Sequence, residues 1–228
     1  TQGYLRFGAL LAEDIVLSLR AEYDRLFAEA RTADRYRDLS DDDDEMLQIM
    51  QMCERSLSFR RLCYHDTILD VIQDLIGPDI QLFHDQALFK PARSGGAIHW
   101  HQDNAYWLCK PAELVSCWLT LDDVDAANGA MHVLPGSHRV ALDHSRGDST
   151  LLDAGDLIDP SGAVAIDLPA GGAMFHHCQT LHYTPPNRTD RQRRAFAIHF
   201  MRPGTQSERD GAMPVNFSRP LLRQGSTV

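Results

Sequence analysis

Residues 99–107 read HWHQDNAYW. Side chains on a strand alternate in direction, so a strand running over 97–103 sends His101 and Asp103 to one face and Gln102 to the other. His99 shares the face of His101. A His-x-Asp pair alone says little, because two solvated or hydrogen-bonded polar residues produce the same pattern. Its surroundings say more. Short apolar runs lie between glycine, proline and aspartate clusters at 81–89, 97–103, 114–121, 131–134, 164–168, 173–175, 180–183 and 195–201. About eight short strands with frequent turns predict a sandwich or barrel, and that number suits a jelly roll. The shared face of His101 and Asp103 is then the interior.

Two later pieces join the pair. His182 stands in TLHYTPPN (180–187), far along the chain, and is expected on another strand across the barrel. Arg193 opens RRAFAIHF (193–200), the next strand. Two imidazoles and one carboxylate suit Fe(II) in an open site, whereas a structural zinc site is more often closed and cysteine-rich. A guanidinium beside such a site can hold a carboxylate through two parallel hydrogen bonds. His176 and His177 compete with His182 for the distal position; the spacing to Arg193 favours His182 and leaves the other two packing or supporting roles. His99 would crowd the metal as a further ligand and reads better as a pocket wall. His65, His84, His132, His138, His144 and His199 have no pairing that makes them ligands.

Before residue 80 the texture is helical. Leu11, Ile15, Leu19, Leu26 and Phe27 recur at helical spacing within 10–30, and a second helix over 66–76 is stopped by Gly77 and Pro78. Ser40 ahead of the acidic run 41–45 suits a helix N-terminus. A calcium loop there would need a glycine turn and alternating oxygen ligands, which the run lacks. We therefore expect one domain over 1–228: a helical layer (1–79), a β core (80–202) with a polar surface loop at 143–162, and an irregular tail (203–228).

The 228 residues suffice for a substantial core. A net charge of −10 argues against general electrostatic binding of nucleic acid, although Arg188, Arg191, Arg193 and Arg194 cluster locally. The five cysteines (53, 63, 109, 117 and 178) are odd in number and form no CxxC pair, so a reducing, cytoplasmic setting is expected. No stretch is apolar for long enough to predict a membrane span. No signal peptide is visible in a sequence that begins at Thr1.

The pieces HQDNAYW (101–107), VSCWLTLDDVDAANGAMHVLPGSH (115–138), TLHYTPPN (180–187) and RRAFAIHF (193–200) resemble, in order and separation, the phytanoyl-CoA dioxygenase family of Fe(II)/2-oxoglutarate oxygenases. The resemblance covers roughly 80–202, and the opening GYLRFGALL is similar to the family's usual start. It implies a cupin-like double-stranded β-helix, with His101, Asp103 and His182 as iron ligands and Arg193 on the 5-carboxylate of 2-oxoglutarate. Trp118, Gln86 and Gln102 match positions that pack near the cosubstrate in some relatives. Met131 departs from relatives that carry a hydroxyl residue there; Thr120 is a candidate to supply that hydroxyl. His99, Trp100, Tyr106, Trp107 and Met131 read either as walls of the substrate pocket or as core packing.

The implied cofactors are Fe(II), 2-oxoglutarate and O2, with ascorbate as a reductant in vitro. The implied reaction is hydroxylation of a small organic molecule with release of succinate and CO2. Halogenating relatives lack the carboxylate ligand, so Asp103 favours hydroxylation, with desaturation or ring formation as variants. Two other readings stand beside it. A cupin-like metalloenzyme that does not use 2-oxoglutarate, such as an isomerase or ring-cleaving dioxygenase, leaves Arg193 without a role. A non-enzymatic binding protein on the same fold predicts a damaged triad. The sequence sets neither substrate nor oligomeric state.

Overall fold

Alternation along RRAFAIHFM (193–201) organises the computed structural model, which describes residues 2–40, 44–145, 152–155, 158–208, 211–212 and 219–225. The chain opens with β1 (Tyr4–Ala9), α1 (Glu13–Ala33), β2 (Arg37–Asp38) and β3 (Leu47–Met50). The helices α2 (Met52–Arg55), α3 (Leu57–Cys63) and α4 (Asp66–Ile76) lead into the long strand β4 (Ile80–Lys90). Then come β5 (Ile98–His101), α5 (Asp103–Trp107), β6 (Cys109–Lys110), β7 (Val115–Thr120), β8 (His132–Val133), β9 (Val164–Ala165) and β10 (Gly172–His177). The last strands are β11 (His182–Thr184), β12 (Arg193–Met201), β13 (Gln206–Ser207), β14 (Gly211–Ala212) and β15 (Leu221–Arg223).

The large sheet has the order β1-β10-β7-β12-β4-β3-β2, with β15 added on β4. A second sheet runs β5-β11-β8-β9, and β14-β13-β6 form a small third. On β12, Phe196, Ile198 and Phe200 face the helices. There they join Cys117, Leu119 and Phe175 of the sheet and Leu19, Tyr23, Phe59 and Ile72 of the helices in one core. The opposite face of the same strands sends Trp118, Met174, Ala195 and Ala197 against Met131 and Val133, next to the second sheet. Two antiparallel sheets with helices over the outer face of the larger make the double-stranded β-helix.

The register contains one interruption that matters. β12 pairs His199 with His84 but Phe200 with Leu82, so Phe83 is an extra residue. Such a bulge places two consecutive side chains on one face. Phe83 packs inward against Cys109, Leu114 and Met201, His84 lies next to it on the same side, and Leu82 returns to the helical face.

Several expectations need correction. The first 79 residues are not a purely helical layer, because β1, β2 and β3 extend the large sheet. Of the acidic run expected to start a helix, Asp44 and Glu45 are not helical. Residues 41–43 lie outside the described residues, and the next element is the strand β3, with Asp38 Oδ1 accepting from the N–H groups of Ser40 and Met46 at 3.0 Å each. β5 stops at His101, so Asp103 belongs to α5 and not to the strand. In the expected surface loop, Leu152 and Ala154 are buried, and the Leu152 N–H donates to the Tyr106 hydroxyl. The tail supplies β15 to the edge of β4.

Candidate metal centre and cosubstrate cavity

His101 and His182 are register partners on the adjacent strands β5 and β11, with ring centroids 4.1 Å apart. His182 therefore comes from the neighbouring strand, not from across the barrel. The extended backbone at Gln102 ends β5, and the first turn of α5 swings Asp103 back towards both rings. Asp103 Oδ1 lies 3.8 Å from His101 Nε2 and 3.6 Å from His182 Nε2. One ligand atom from each residue falls within 4.8 Å of the others.

Backbone carbonyls set both imidazoles. His101 Nδ1 is 2.7 Å from the carbonyl of His99, and His182 Nδ1 is 2.9 Å from that of Thr180. A ring nitrogen facing a carbonyl carries the proton, so each Nε2 keeps its lone pair for a metal. Burial lowers the pKa of both rings, that of His182 to about 3. Burial also opposes ionisation of Asp103, but the neighbouring His182 and the hydrogen bond from His176 outweigh it and hold the carboxyl well below the usual range. Two neutral imidazoles and one carboxylate, all buried, form a donor set that fits a divalent cation.

A cavity of about 300 Å³ joins this centre to Arg193. The two adjacent arginines of β12 have opposite fates because their side chains alternate. Arg194, on the helical side, is bidentate to Asp24 (2.8 and 2.9 Å) and also binds Asp122 at 2.7 Å. Arg193 is fully buried and has no ion pair among the described residues. Its Nη1 makes a long 3.4 Å contact to the Leu88 carbonyl, Nη2 meets the Met46 sulfur at 3.7 Å, and Nε has no partner. Burial lowers its pKa to about 10, so it stays charged at neutral pH. An unpaired buried guanidinium at a cavity wall fits a carboxylate ligand.

Sequence and structure comparisons show the family and the fold. The family described as "Phytanoyl-CoA dioxygenase (PhyH)" matches residues 1–195. The chain belongs to the phytanoyl-CoA dioxygenase family. A probable alpha-ketoglutarate-dependent hypophosphite dioxygenase of Stutzerimonas stutzeri is 29% identical over 143 residues, covering 59% of this chain and 50% of the relative. The chain spans 50% and 64% of the length of the first two curated relatives it matches. EvdO2 from Micromonospora carbonacea var. aurantiaca, solved with 2-oxoglutarate, is 29% identical, with a TM-score of 0.69 over 92% of this chain and 90% of its own. The epimerase SnoN, solved with Fe3+, alpha ketoglutarate and nogalamycin RO, shares the fold at 23% identity, with a TM-score of 0.83 over 97% of this chain and 94% of its own. No described helix is long and apolar enough to cross a membrane.

Within this phytanoyl-CoA dioxygenase fold, the cavity gathers most of the residues singled out in the sequence. Gln86, Trp118, Arg193, Tyr106, Trp107 and Met131 line it beside the triad. Gln102 does not. Its Nε2 donates to the carbonyls of Val140 and Gln179 at 2.7 Å each, and its Oε1 accepts from the Leu142 N–H at 2.9 Å, which ties it to the surrounding loops. His99 is exposed, and Trp100 stacks on Tyr183 (5.4 Å, 22°); neither lines the cavity. Thr120 does not supply the hydroxyl that Met131 lacks, because its Oγ1 donates to the carbonyls of Pro169 and Gly172. The cavity does hold Thr184, whose buried Oγ1 has no partner among the described residues.

Sequence reasoning missed the wall given by Arg37, Met46, Gln48 and Met50, and the imidazoles of His84 and His199. The signal for the histidines was their parity. His199 shares its strand face with Arg193, and His176 shares its face with Met174. His176, given a packing or supporting role in the sequence reading, has its Nε2 3.2 Å from Asp103 Oδ2 and so contacts that carboxylate directly.

Proposed function

We propose that this chain is a non-haem Fe(II)- and 2-oxoglutarate-dependent oxygenase that hydroxylates a small organic substrate, converting 2-oxoglutarate and O2 to succinate and CO2. The observation that carries the reading is the unpaired Arg193 guanidinium sharing one cavity with the His101–Asp103–His182 centre. Bound there, ferrous iron and its 2-oxo acid would supply the oxygen activation.

The chain's own residues do the rest. His101, Asp103 and His182 would hold the iron from one side. Arg193 would pair with the 5-carboxylate, and the Thr184 hydroxyl, unpartnered in the same cavity, would add a hydrogen bond. Met46, Met50, Leu88, Tyr106, Trp107 and Met131 give the cavity a largely apolar lining and limit water. Gln48 Oε1, buried without a partner, offers an acceptor to a hydroxyl or amine on the occupant.

Purified protein with Fe(II), ascorbate and 2-oxoglutarate, assayed for succinate across a substrate panel, tests this. Succinate that depends on iron and matches hydroxylated product one for one is the expected result. A metal-dependent product formed without 2-oxoglutarate consumption would overturn the proposal in favour of a cupin-like enzyme such as an isomerase.

A further inference from the structure

A single row of side chains crosses the inner face of the large sheet beside the metal centre. Cross-strand register pairs His84 with His199, His199 with Ser116, and Ser116 with His176, over β4, β12, β7 and β10. Ser116 and His199 are buried, and neither is a metal ligand in the centre described above. Ser116 Oγ lies 3.0 Å from Asp103 Oδ2 and 2.7 Å from His199 Nδ1. His199 Nε2 lies 3.0 Å from the Gln86 side-chain nitrogen, and the Gln86 oxygen is bonded to the Gln48 amide.

Counting protons gives this row one direction. An ionised carboxylate only accepts, so the single Ser116 hydroxyl proton goes to Asp103 Oδ2. Ser116 must then accept from His199, which places the imidazole proton on Nδ1 and a lone pair on Nε2. Gln86 therefore donates its amide N–H to Nε2, and its oxygen accepts from Gln48. Every donor along the row points towards Asp103.

We propose that Ser116 and His199, aligned by Gln86 and Gln48, are positioning residues for Asp103. With His176 bonded to the same oxygen, they reserve Oδ2 for the protein and leave Oδ1, the atom nearest both ligand imidazoles, for the metal. Asp103 then binds through one oxygen, which keeps neighbouring coordination positions open. The inference rests on the iron site proposed above.

Anaerobic titration with Fe(II) in the presence of 2-oxoglutarate tests it, read by Fe(II) affinity and by the visible charge-transfer band of the complex. Loss of supporting hydrogen bonds of this kind weakens metal affinity about 10- to 100-fold. Ser116→Ala is expected to fall in that range and to move the band, while Ser116→Thr, which keeps the hydroxyl, restores both. His199→Asn keeps an N–H close to the position of Nδ1 and should bind Fe(II) more tightly than His199→Leu. A folded Ser116→Ala with wild-type affinity and an unmoved band overturns the inference. If Ser116→Ala does not fold, equal Fe(II) affinity in the two His199 variants overturns it. Wild-type protein that fails to bind Fe(II) sinks the iron proposal instead.

Discussion

Replacing Arg193 by methionine should do two opposite things. The guanidinium is buried and carries its charge, and among the described residues its polar contacts are a long one to the Leu88 carbonyl, one to the Met46 sulfur, and the Trp118 ring with its centroid 5.8 Å away. Removing one partner of a buried, hydrogen-bonded charge pair costs about 2–5 kcal/mol of binding. At about 1.4 kcal/mol per decade, the requirement for 2-oxoglutarate rises roughly 30- to 4,000-fold. Without cosubstrate the balance reverses. Apolar replacement of buried charge is often neutral or stabilising by about 1–4 kcal/mol. For a chain of this size, each kcal/mol moves the Tm by about 2–4 °C. Arg193→Met should therefore melt at or above the wild-type temperature when metal and cosubstrate are absent, and lose the rise that 2-oxoglutarate gives the wild type. Calorimetric melting with and without Fe(II) and 2-oxoglutarate, beside a succinate assay over a range of 2-oxoglutarate, reads both effects. An unchanged 2-oxoglutarate requirement would refute the anchoring role, and a steep fall in Tm would show that the guanidinium is part of the packing.

Asp103→Ala should eliminate Fe(II)-dependent succinate formation while leaving a folded chain; wild-type succinate yields would remove Asp103 from the ligand set. Burial holds His84 at a pKa of about 4. The unfolded chain therefore takes up a proton below pH 6.5 that the folded chain refuses. Stability falls on acidification through that window, by up to about 3 kcal/mol from this group at 1.36 kcal/mol per unit. Urea unfolding at pH 7 and pH 4.5 should show a smaller acid loss in His84→Phe, and an equal loss would exclude this group as a source. Gly129 has φ +97, and a Cβ there would stand 2.9 Å from the Lys90 side chain and 3.2 Å from the Pro185 carbonyl. Gly129→Ala is expected to lose about 1–3 kcal/mol in chemical denaturation, and a neutral result would mean that the turn relaxes freely.

The centre was legible because its residues carry chemistry that strand packing does not require. A His-x-Asp pair, a late histidine and an arginine opening the next strand converge as their spacing suggested, even though Asp103 reaches its place on a helical turn. The cavity's other wall was hidden for physical reasons. LQIM (47–50) is too short to announce a strand, and it becomes one by pairing with β4 far along the chain. Gln102 and Thr120 were assigned by position, but local carbonyls and N–H groups claim their polar atoms. The extra residue at Phe83 cannot be read from periodicity, since nothing local in QLFHDQ announces where pairing with a distant strand slips.

His101 and His182 ride on the second sheet, whereas Arg193 rides on the large one. On the proposed reading, the separation of the two sheets would be a ruler laid along the diacid. Under the proposed chemistry, a homologue one methylene longer or shorter than 2-oxoglutarate can satisfy one end of that ruler and leaves the other slack or jammed.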